Sequence, residues 1–252
     1  MAISGVNMQD NVAIVTGASR GVGKSLATYL SKLGYVVILI ARNKKLLEKV
    51  SQEIHDDGGR AVFFAIDVSN SSQVESCVDE IIGEYGRIDL LLNNAAILKR
   101  GTTELPDEEI EELLRINLNG AIYVAKYVAA QMKKQRNGYI MNVSSLGGKF
   151  AASFSGIYAA SKFGLSGFSE ALSKEMSLYD VKVTNICPSM IATEMAEGRK
   201  FKLDQMIQPE DITKTVSYLL SLSNNAIPTE ILISCLPLIR KTTALLQEMY
   251  LS

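Results

Sequence analysis

Residues 11–23 read NVAIVTGASRGVG, an apolar run that ends in a loop with three glycines. A short apolar run closed by glycine is typical of a buried strand, and residues 24–33 then have the apolar spacing of a helix. The glycines allow a sharp turn, and the helix that follows would offer unpaired N–H groups to a phosphate. The stretch therefore predicts a strand, a turn and a helix, with phosphate binding at the turn; the plainer alternative is a turn that binds nothing.

The same alternation of strand and helix continues along the chain. Strands are predicted at 35–41, 61–66, 88–92, 139–143, 182–186 and 230–233, and helices at 44–55, 71–85, 106–135, 157–178 and 209–222. Fully apolar strands such as YVVILIA suit a parallel sheet covered on both faces, and short connections between alternating elements indicate a doubly wound sheet. We expect one α/β domain over residues 1–252, Rossmann-like, with about seven parallel strands and helices on both faces. Residues 235–252 are either a tail over their own core or an interface segment.

Composition excludes several function classes. The 252 residues are 47% hydrophobic and 21% charged, which is ordinary for a globular protein. A net charge of −1 gives no basic field for nucleic acid. Three scattered cysteines and one histidine form no metal-ligand pattern, so no metal is expected. The chain shows no signal peptide and no apolar run of about 18 residues, which predicts a cytoplasmic protein without a membrane span.

The glycine spacing, Gly17-x-x-x-Gly21-x-Gly23, differs from the usual G-x-G-x-x-G of dinucleotide-binding folds. A rival interpretation is a P-loop NTPase, because residues 18–25 (ASRGVGKS) nearly match the P-loop. The strand at 61–66 is also followed by Asp67, as a Walker B strand would be by its acid. Ala18 replaces the first P-loop glycine, and a P-loop would leave Gly17 and Gly21 unexplained. The dinucleotide interpretation is therefore favoured.

The end of the second strand indicates which dinucleotide would bind. An acid at this position binds the ribose hydroxyl of NAD, whereas an arginine accommodates the 2′-phosphate of NADP. Here the strand is followed by Arg42 and Asn43, and Arg20 lies in the glycine loop. A guanidinium can bind phosphate through two hydrogen bonds, so the two arginines favour NADP(H). The alternative is a pair of solvated surface arginines.

Tyr158 and Lys162 stand four residues apart, on one face of the helix predicted at 157–178. A free phenol has a pKa of about 10, and a nearby ammonium favours its ionised form, which makes tyrosine a usable proton donor and acceptor. The hydroxyl of Ser145, thirteen residues before the tyrosine, could reach the same reacting oxygen. The plainer alternative is an aromatic ring packed under a surface lysine.

Together these residues resemble the classical short-chain dehydrogenase/reductase family over roughly residues 10–235. The matching motifs, in order, are Thr16–Gly23 (TGxxxGxG), Asp67-Val68, Asn93-Asn94-Ala95-Ala96 (the family has NNAG), Asn117, Ser145, Tyr158-x-x-x-Lys162, Pro188-Ser189 (the family has Pro-Gly) and Thr193. Ala96 and Ser189 replace glycines beside the expected cofactor, where we expect tolerance. Residues 230–235 (EILISC) lack the VDGG-like ending of many reductases, which puts the family's tetramer contacts in doubt.

The resemblance implies a catalytic set of Asn117, Ser145, Tyr158 and Lys162. Tyr158 would protonate the substrate oxygen, Ser145 would orient it, Lys162 would lower the phenol pKa and bind the nicotinamide ribose, and Asn117 would hold a water that relays protons. Contacts to NADP(H) are expected from Gly17, Ser19, Arg20, Gly21, Val22, Gly23, Arg42, Asn43, Asp67, Val68, Asn94, Ala95, Tyr158, Lys162, Pro188, Ile191 and Thr193.

Substrate contacts are expected from Ser145 and Tyr158 and from four apolar residues: Phe150, Phe154, Met190 and Met195. The alternative for each apolar residue is a place in the core. The resemblance implies hydride transfer between the cofactor and a carbonyl or secondary alcohol. A pocket of this kind would make the substrate an apolar small molecule: a 3-oxoacyl thioester, a steroid-like ketone or a lipophilic aldehyde. The resemblance also implies a homodimer or homotetramer. The second hypothesis is a non-catalytic protein that senses NADP(H) on the same fold.

Overall fold

The computed structural model describes residues 11–196 and 201–251, which form alternating strands and helices. The strands are β1 (Val12–Thr16), β2 (Val36–Ala41), β3 (Arg60–Ala65), β4 (Leu90–Asn93), β5 (Gly138–Val143), β6 (Val181–Pro188) and β7 (Glu230–Ile233). The helices are α1 (Gly21–Lys32), α2 (Lys44–Asp56), α3 (Ser71–Tyr85), α4 (Asp107–Leu114), α5 (Ala121–Gln135), α6 (Gly156–Ser177), α7 (Pro209–Ser221) and α8 (Leu236–Leu251). A π-helical turn, Arg115–Gly120, joins α4 to α5.

The described strands form one seven-stranded sheet in the order β3-β2-β1-β4-β5-β6-β7, and every neighbouring pair is parallel. Successive strand residues face opposite sides, so Ala13 and Val15 pack under α1, α2 and α7, whereas Val12 and Ile14 pack under α3, α5 and α6. Each face therefore has its own apolar core. The prediction of a doubly wound α/β fold is confirmed.

The sheet order reverses at β1, which pairs with β2 on one side and β4 on the other. Ligands of open parallel sheets bind outside the carboxyl ends of the strands at such a switch point. The loops after β1, β2, β4, β5 and β6 all leave from this edge, and they carry nearly all the residues predicted to form the site.

The predicted boundaries differ from the observed ones in three informative places. Helix α1 begins at Gly21 rather than residue 24, so the last two glycines lie inside its first turn. The helical region predicted at 106–135 is interrupted by the π turn, which sequence periodicity does not reveal. Strand β6 continues to Pro188, because β7 pairs with it as far as Ile233.

Residues 236–251 form a helix, and Leu238 of this helix packs against the core on the α1 side. Of the predicted domain 1–252, residues 1–10, 197–200 and 252 lie outside the described residues, so its extent stays a prediction. The interface alternative for 235–252 likewise stays open. Within the described part of the chain, no helix is both long and apolar enough to cross a membrane.

Candidate functional site

The turn between β1 and α1 is built so that only glycine fits at its key positions. Gly17 and Gly21 have φ angles of +65° and +52°, in the left-handed region where glycine carries no steric penalty. A Cβ on Gly23 would lie 2.2 Å from the carbonyl oxygen of Gly17, far inside contact distance. The first turn of α1 has no side-chain cap and no acidic residue. Its N–H groups and positive dipole end therefore fit the phosphates of a dinucleotide.

The side chains of this segment do not support a P-loop. The Lys24 ammonium lies 2.6 Å from a carboxylate oxygen of Glu53 on α2, which directs it away from the turn. The Ala18 N–H donates to the carbonyl oxygen of Ile40 at 3.2 Å. Asp67, the predicted Walker B acid, accepts hydrogen bonds from both the N–H and the hydroxyl of Ser69. These bonds hold the turn into α3.

Both arginines predicted to bind the 2′-phosphate lie beside carboxylates. Arg20 Nη1 is 2.7 Å from Glu194 Oε2, and Arg42 Nη1 is 3.8 Å from Glu112 Oε1. Asn43 caps α2, its Oδ1 accepting a hydrogen bond from the N–H of Leu46 at 3.1 Å. Both guanidinium groups are exposed at the sheet edge, where a ligand phosphate could reach them.

The loop after β4 is tied to the glycine turn through Thr16. The Thr16 hydroxyl accepts hydrogen bonds from the N–H groups of Asn94 and Ala95, at 2.9 and 3.0 Å. The Asn94 side-chain amide donates to the Thr16 carbonyl at 3.0 Å. Val22 and Val68, also predicted to contact the cofactor, are mostly buried in the two cores. Thr16 therefore joins the two loops. It is the first residue of the TGxxxGxG motif, but we did not predict it as a site residue.

The loop after β6 approaches the glycine turn. Pro188 is buried at the end of β6, and Ile191 forms a parallel bridge with Ile207. Thr193 comes close to the glycine turn, because a Cβ on Gly21 would lie 3.2 Å from Thr193 Cγ2. Half-buried Ser19 stands next to this contact in the turn. The predicted cofactor residues of the two loops are thus brought together.

Ser145 and Tyr158 converge on Gly147. The Ser145 hydroxyl oxygen accepts a hydrogen bond from the Gly147 N–H at 3.0 Å. A Cβ on Gly147 would lie 3.3 Å from Tyr158 Cε1 and 3.4 Å from Ser145 Oγ. Ser145 is the second residue after the end of β5, and Tyr158 stands in the first turn of α6. The strand end and the helix start therefore place a hydroxyl and a phenol ring around one small space.

Lys162 lies one helical turn further along α6 and is 2% exposed. Its Nζ donates to the carbonyl oxygen of Val143 at 3.0 Å and lies 5.9 Å from the Tyr158 ring centroid. Burial lowers the pKa of this ammonium from 10.5 to about 8, so it is mostly charged at neutral pH. Gly148 permits the approach, because a Cβ there would lie 2.6 Å from the Lys162 carbonyl oxygen.

Asn117 is fully buried in the π turn, and its amide joins two parts of the site. Its Oδ1 accepts from the Ile97 N–H at 2.8 Å, and its Nδ2 donates to the Ile97 carbonyl at 2.9 Å and to Ser161 Oγ at 3.3 Å. Ser161 in turn donates to the Tyr158 carbonyl at 2.7 Å. The amide is engaged by protein groups, so the water relay through Asn117 stays a prediction. Ser161, which we did not predict, links it to α6.

The adjacent serine, Ser144, is buried and faces the helix. Its hydroxyl donates to the Lys162 carbonyl at 3.1 Å and lies 3.3 Å from Ser166 Oγ. It therefore holds α6 against the end of β5, and the geometry favours Ser145 as the serine that faces substrate.

The four apolar residues predicted to contact substrate separate into two groups. Phe150, Phe154 and Met195 are 71%, 75% and 45% exposed, in the segments that follow β5 and β6. Met190 instead packs against the core on the α1 side, which favours the core alternative for that residue. Phe154 has a φ of +61°, and its carbonyl accepts a hydrogen bond from Gly101 N–H at 2.8 Å.

Comparison with known proteins gives a consistent result. A model of the short chain dehydrogenase family matches residues 11–203. A 3-ketodihydrosphingosine reductase of Bacteroides thetaiotaomicron is 37% identical over 193 residues, covering 76% of this chain and 68% of that protein. The crystal structure of a β-ketoacyl-[ACP] reductase from the same species has a TM-score of 0.82 and 35% identity, covering 92% of this chain and 99% of the other. A metagenomic short-chain oxidoreductase in complex with NADP has a TM-score of 0.79 and 30% identity, covering 89% and 96%.

Proposed function

The chain belongs to the short chain dehydrogenase family, oxidoreductases that use a nicotinamide cofactor, and we propose that it is an NADPH-dependent reductase of a 3-oxo group on an apolar molecule. The resemblance predicted from the motifs is thereby confirmed at the level of the family. The substrate and the preference for NADPH over NADH are proposed here. The observation that carries it is the convergence of Ser145 Oγ and the Tyr158 ring on Gly147, with the Lys162 ammonium buried beside them.

Each polar side chain at this convergence has a role in carbonyl reduction. When bound, the cofactor supplies the hydride, and the protein positions the reacting groups. Tyr158 donates its phenolic proton to the substrate oxygen as negative charge develops there. Ser145 donates a hydrogen bond to the same oxygen and orients the carbonyl. The Lys162 ammonium favours the ionised phenol that remains, and Asn117 holds Ile97 and α6 in register around it.

NADPH is favoured by Arg20 and Arg42, which supply two guanidinium groups where a 2′-phosphate would lie. The turn at Gly17–Gly23 and the uncapped end of α1 suit the pyrophosphate. The related metagenomic oxidoreductase was crystallised with NADP, which supports the same choice here.

An apolar 3-oxo substrate is favoured by three exposed apolar side chains. Phe150, Phe154 and Met195 expose apolar surface in the segments after β5 and β6, which also carry Ser145 and Thr193. Aromatic rings and methionine suit an extended hydrocarbon chain. Both related reductases carry a 3-oxo group in their names, a β-ketoacyl group in one and 3-ketodihydrosphingosine in the other. A homodimer or homotetramer and a cytoplasmic location stay predictions.

Two measurements test the proposal. Titration with NADPH, followed by cofactor fluorescence, reports binding, and NADPH oxidation against 3-oxoacyl thioesters of rising chain length, a steroid ketone and a lipophilic aldehyde reports turnover. We expect binding, and turnover that is fastest with the longer 3-oxoacyl chains. Binding without turnover on any substrate would favour a cofactor sensor, and magnesium-dependent ATP hydrolysis would favour an NTPase.

A Tyr158→Phe variant links the turnover to the site. We expect it to lose turnover by about a thousandfold while NADPH binding stays nearly unchanged, because general acid catalysis contributes roughly 10² to 10⁴. Tyr218→Phe, the same change on the exposed face of α7, is the matched control and should retain full activity. Substantial turnover by Tyr158→Phe would contradict the assignment.

A further inference from the structure

One ion pair crosses from the glycine turn to the loop after β6. Arg20 Nη1 lies 2.7 Å from Glu194 Oε2, and the two residues are 174 positions apart in the chain. Arg20 is the last residue before α1 and takes an extended conformation, with φ at −164°. Glu194 begins a short 3₁₀ turn directly after Thr193, whose Cγ2 faces Gly21. The approach of the Thr193 side chain to Gly21 and the ion pair therefore form one continuous junction.

This junction lies where the adenosine phosphate of NADPH is proposed to bind. The hydrogen bond from Ala18 N–H to the Ile40 carbonyl joins the turn to the end of β2, two residues before Arg20 and two before Arg42. Two anions therefore compete for Arg20: the 2′-phosphate that it is proposed to bind and the carboxylate that it already contacts. Arg20 contacts Glu194 through Nη1, and a phosphate that pairs with the same edge of the guanidinium must share or displace this contact.

We propose that Glu194 is a cofactor-selectivity residue, which competes with the 2′-phosphate of NADPH for the guanidinium of Arg20. This inference rests on the proposed function, since it assumes that a nicotinamide dinucleotide binds at the turn. NADPH must displace the Glu194 carboxylate and then binds with a negative charge close to its phosphate. NADH has no phosphate at this position, so it leaves the Arg20–Glu194 pair intact. Glu194 therefore lowers the affinity for NADPH and hardly affects NADH.

A second carboxylate at the same edge should have a smaller effect. Glu112 lies 3.8 Å from Arg42 and is shared with Lys99, whose Nζ is 3.5 Å from its other oxygen. The longer distance and the second cation weaken its hold on Arg42.

The test is the dissociation constant of each cofactor, measured by fluorescence titration without substrate at low ionic strength. Glu194→Gln should bind NADPH about threefold to tenfold more tightly, since an exposed ion pair contributes up to about fivefold and a nearby repelled charge adds a similar factor. NADH binding should change by less than about twofold, and salt should reduce the gain in NADPH affinity. Glu112→Gln should show a smaller gain in the same direction.

Two further variants test whether the effect is specific to the pair of Arg20 and Glu194. Glu170→Gln removes an exposed carboxylate from an ion pair of 2.6 Å with Lys174 on α6, and it should leave both dissociation constants unchanged. In an Arg20→Ala background, Glu194→Gln should lose the part of its effect that acts through the ion pair and keep only the part due to direct repulsion of the phosphate. Weaker NADPH binding by Glu194→Gln, or equal tightening for NADPH and NADH, would overturn the inference while leaving the proposed function intact. Failure of the unaltered protein to bind either cofactor would overturn both.

Discussion

The ammonium of Lys162 donates a hydrogen bond to the backbone carbonyl of Val143 at 3.0 Å, inside a site where the lysine is only 2% exposed. A buried ammonium loses its hydration, and one neutral hydrogen bond compensates only part of that loss. The lowered pKa of about 8 is the measure of the remaining cost. The fold thus holds a cation beside Tyr158 at the expense of its own stability, as expected for a residue kept for chemistry.

Replacing the lysine should therefore stabilise the protein. A shift from 10.5 to about 8 corresponds to roughly 3 kcal/mol at neutral pH, so we expect Lys162→Met to raise the free energy of unfolding by about 1–3 kcal/mol and to abolish turnover. Between about pH 8 and 10.5 the unfolded chain binds the lysine proton and the folded chain does not, so this stability penalty disappears as pH rises. The advantage of the variant should be full below pH 8 and shrink towards pH 10.5 in denaturant titrations.

The matched control is Lys174→Met on the exposed side of the same helix, which should show neither the gain nor its pH dependence. Comparing variants isolates Lys162 from other groups that titrate in this range, such as Cys187, whose pKa burial raises to about 11. A Lys162→Met protein that is less stable than the unaltered chain at pH 7 would contradict the argument.

Gly147 should be required for turnover because of the space it leaves. An alanine Cβ would approach Tyr158 Cε1 at 3.3 Å and Ser145 Oγ at 3.4 Å, so one of the two must move by a few tenths of an ångström. Catalysis is sensitive to such displacements, and we expect Gly147→Ala to reduce kcat roughly tenfold with little change in NADPH binding or in the thermal midpoint. Steady-state kinetics measure the loss in kcat, and a cofactor titration checks that NADPH binding is retained.

Gly167→Ala is the control for this substitution, since it adds the same methyl group on α6 with nothing within 4 Å. Alanine is the better helix former by about 1 kcal/mol, so this variant should be more stable and fully active. If the two substitutions lowered kcat equally, crowding at Ser145 and Tyr158 would not be the cause.

Asn117 should act as a positioning residue. Asn117→Ala leaves the partly buried N–H and carbonyl of Ile97 without their side-chain partners, and it removes the amide that donates to Ser161 Oγ. Each orphaned buried group costs about 1–3 kcal/mol, so we expect a loss of roughly 2–4 kcal/mol in the free energy of unfolding. Turnover should fall further than the unfolded fraction explains, because α6 carries Tyr158 and would move with it. The pH profile of kcat and the KM for substrate separate a misplaced Tyr158 from simple unfolding. An equally active, equally stable variant would show that the Ile97 contacts are dispensable.

The fold could be predicted because its signals are local. The apolar run of β1, the three glycines after it and the regular alternation of strand and helix each depend on neighbouring residues, and together they specify a doubly wound sheet. The spacing of Tyr158 and Lys162 is likewise a property of one helix. Ser145 could be predicted because it lies close after the end of a strand.

The parts that were not predicted depend on contacts between distant residues. Nothing near Arg20 in the chain indicates that Glu194 will lie beside it, and nothing near Asn117 indicates that its amide will be bound by Ile97. The π turn at Arg115–Gly120 keeps the apolar spacing of an ordinary helix, so its sequence does not distinguish it. The location of Met190 could not be predicted either, because an apolar residue after a strand is equally compatible with a substrate pocket and with the core.

Phe154 combines a strained backbone with an exposed ring, and this combination predicts a separation of stability from substrate binding. Its φ of +61° is unfavourable for a bulky residue, and its side chain is 75% exposed, so the ring contributes little to the core. We expect Phe154→Gly to keep or raise the free energy of unfolding, by up to about 1 kcal/mol, because glycine accepts this conformation. The KM for a long-chain 3-oxoacyl thioester should rise severalfold, while a short-chain substrate should be little affected. Phe154→Ala, which removes the ring and keeps the strain, should raise the KM equally without the gain in stability; a long-chain KM unchanged in both variants would remove Phe154 from the substrate site.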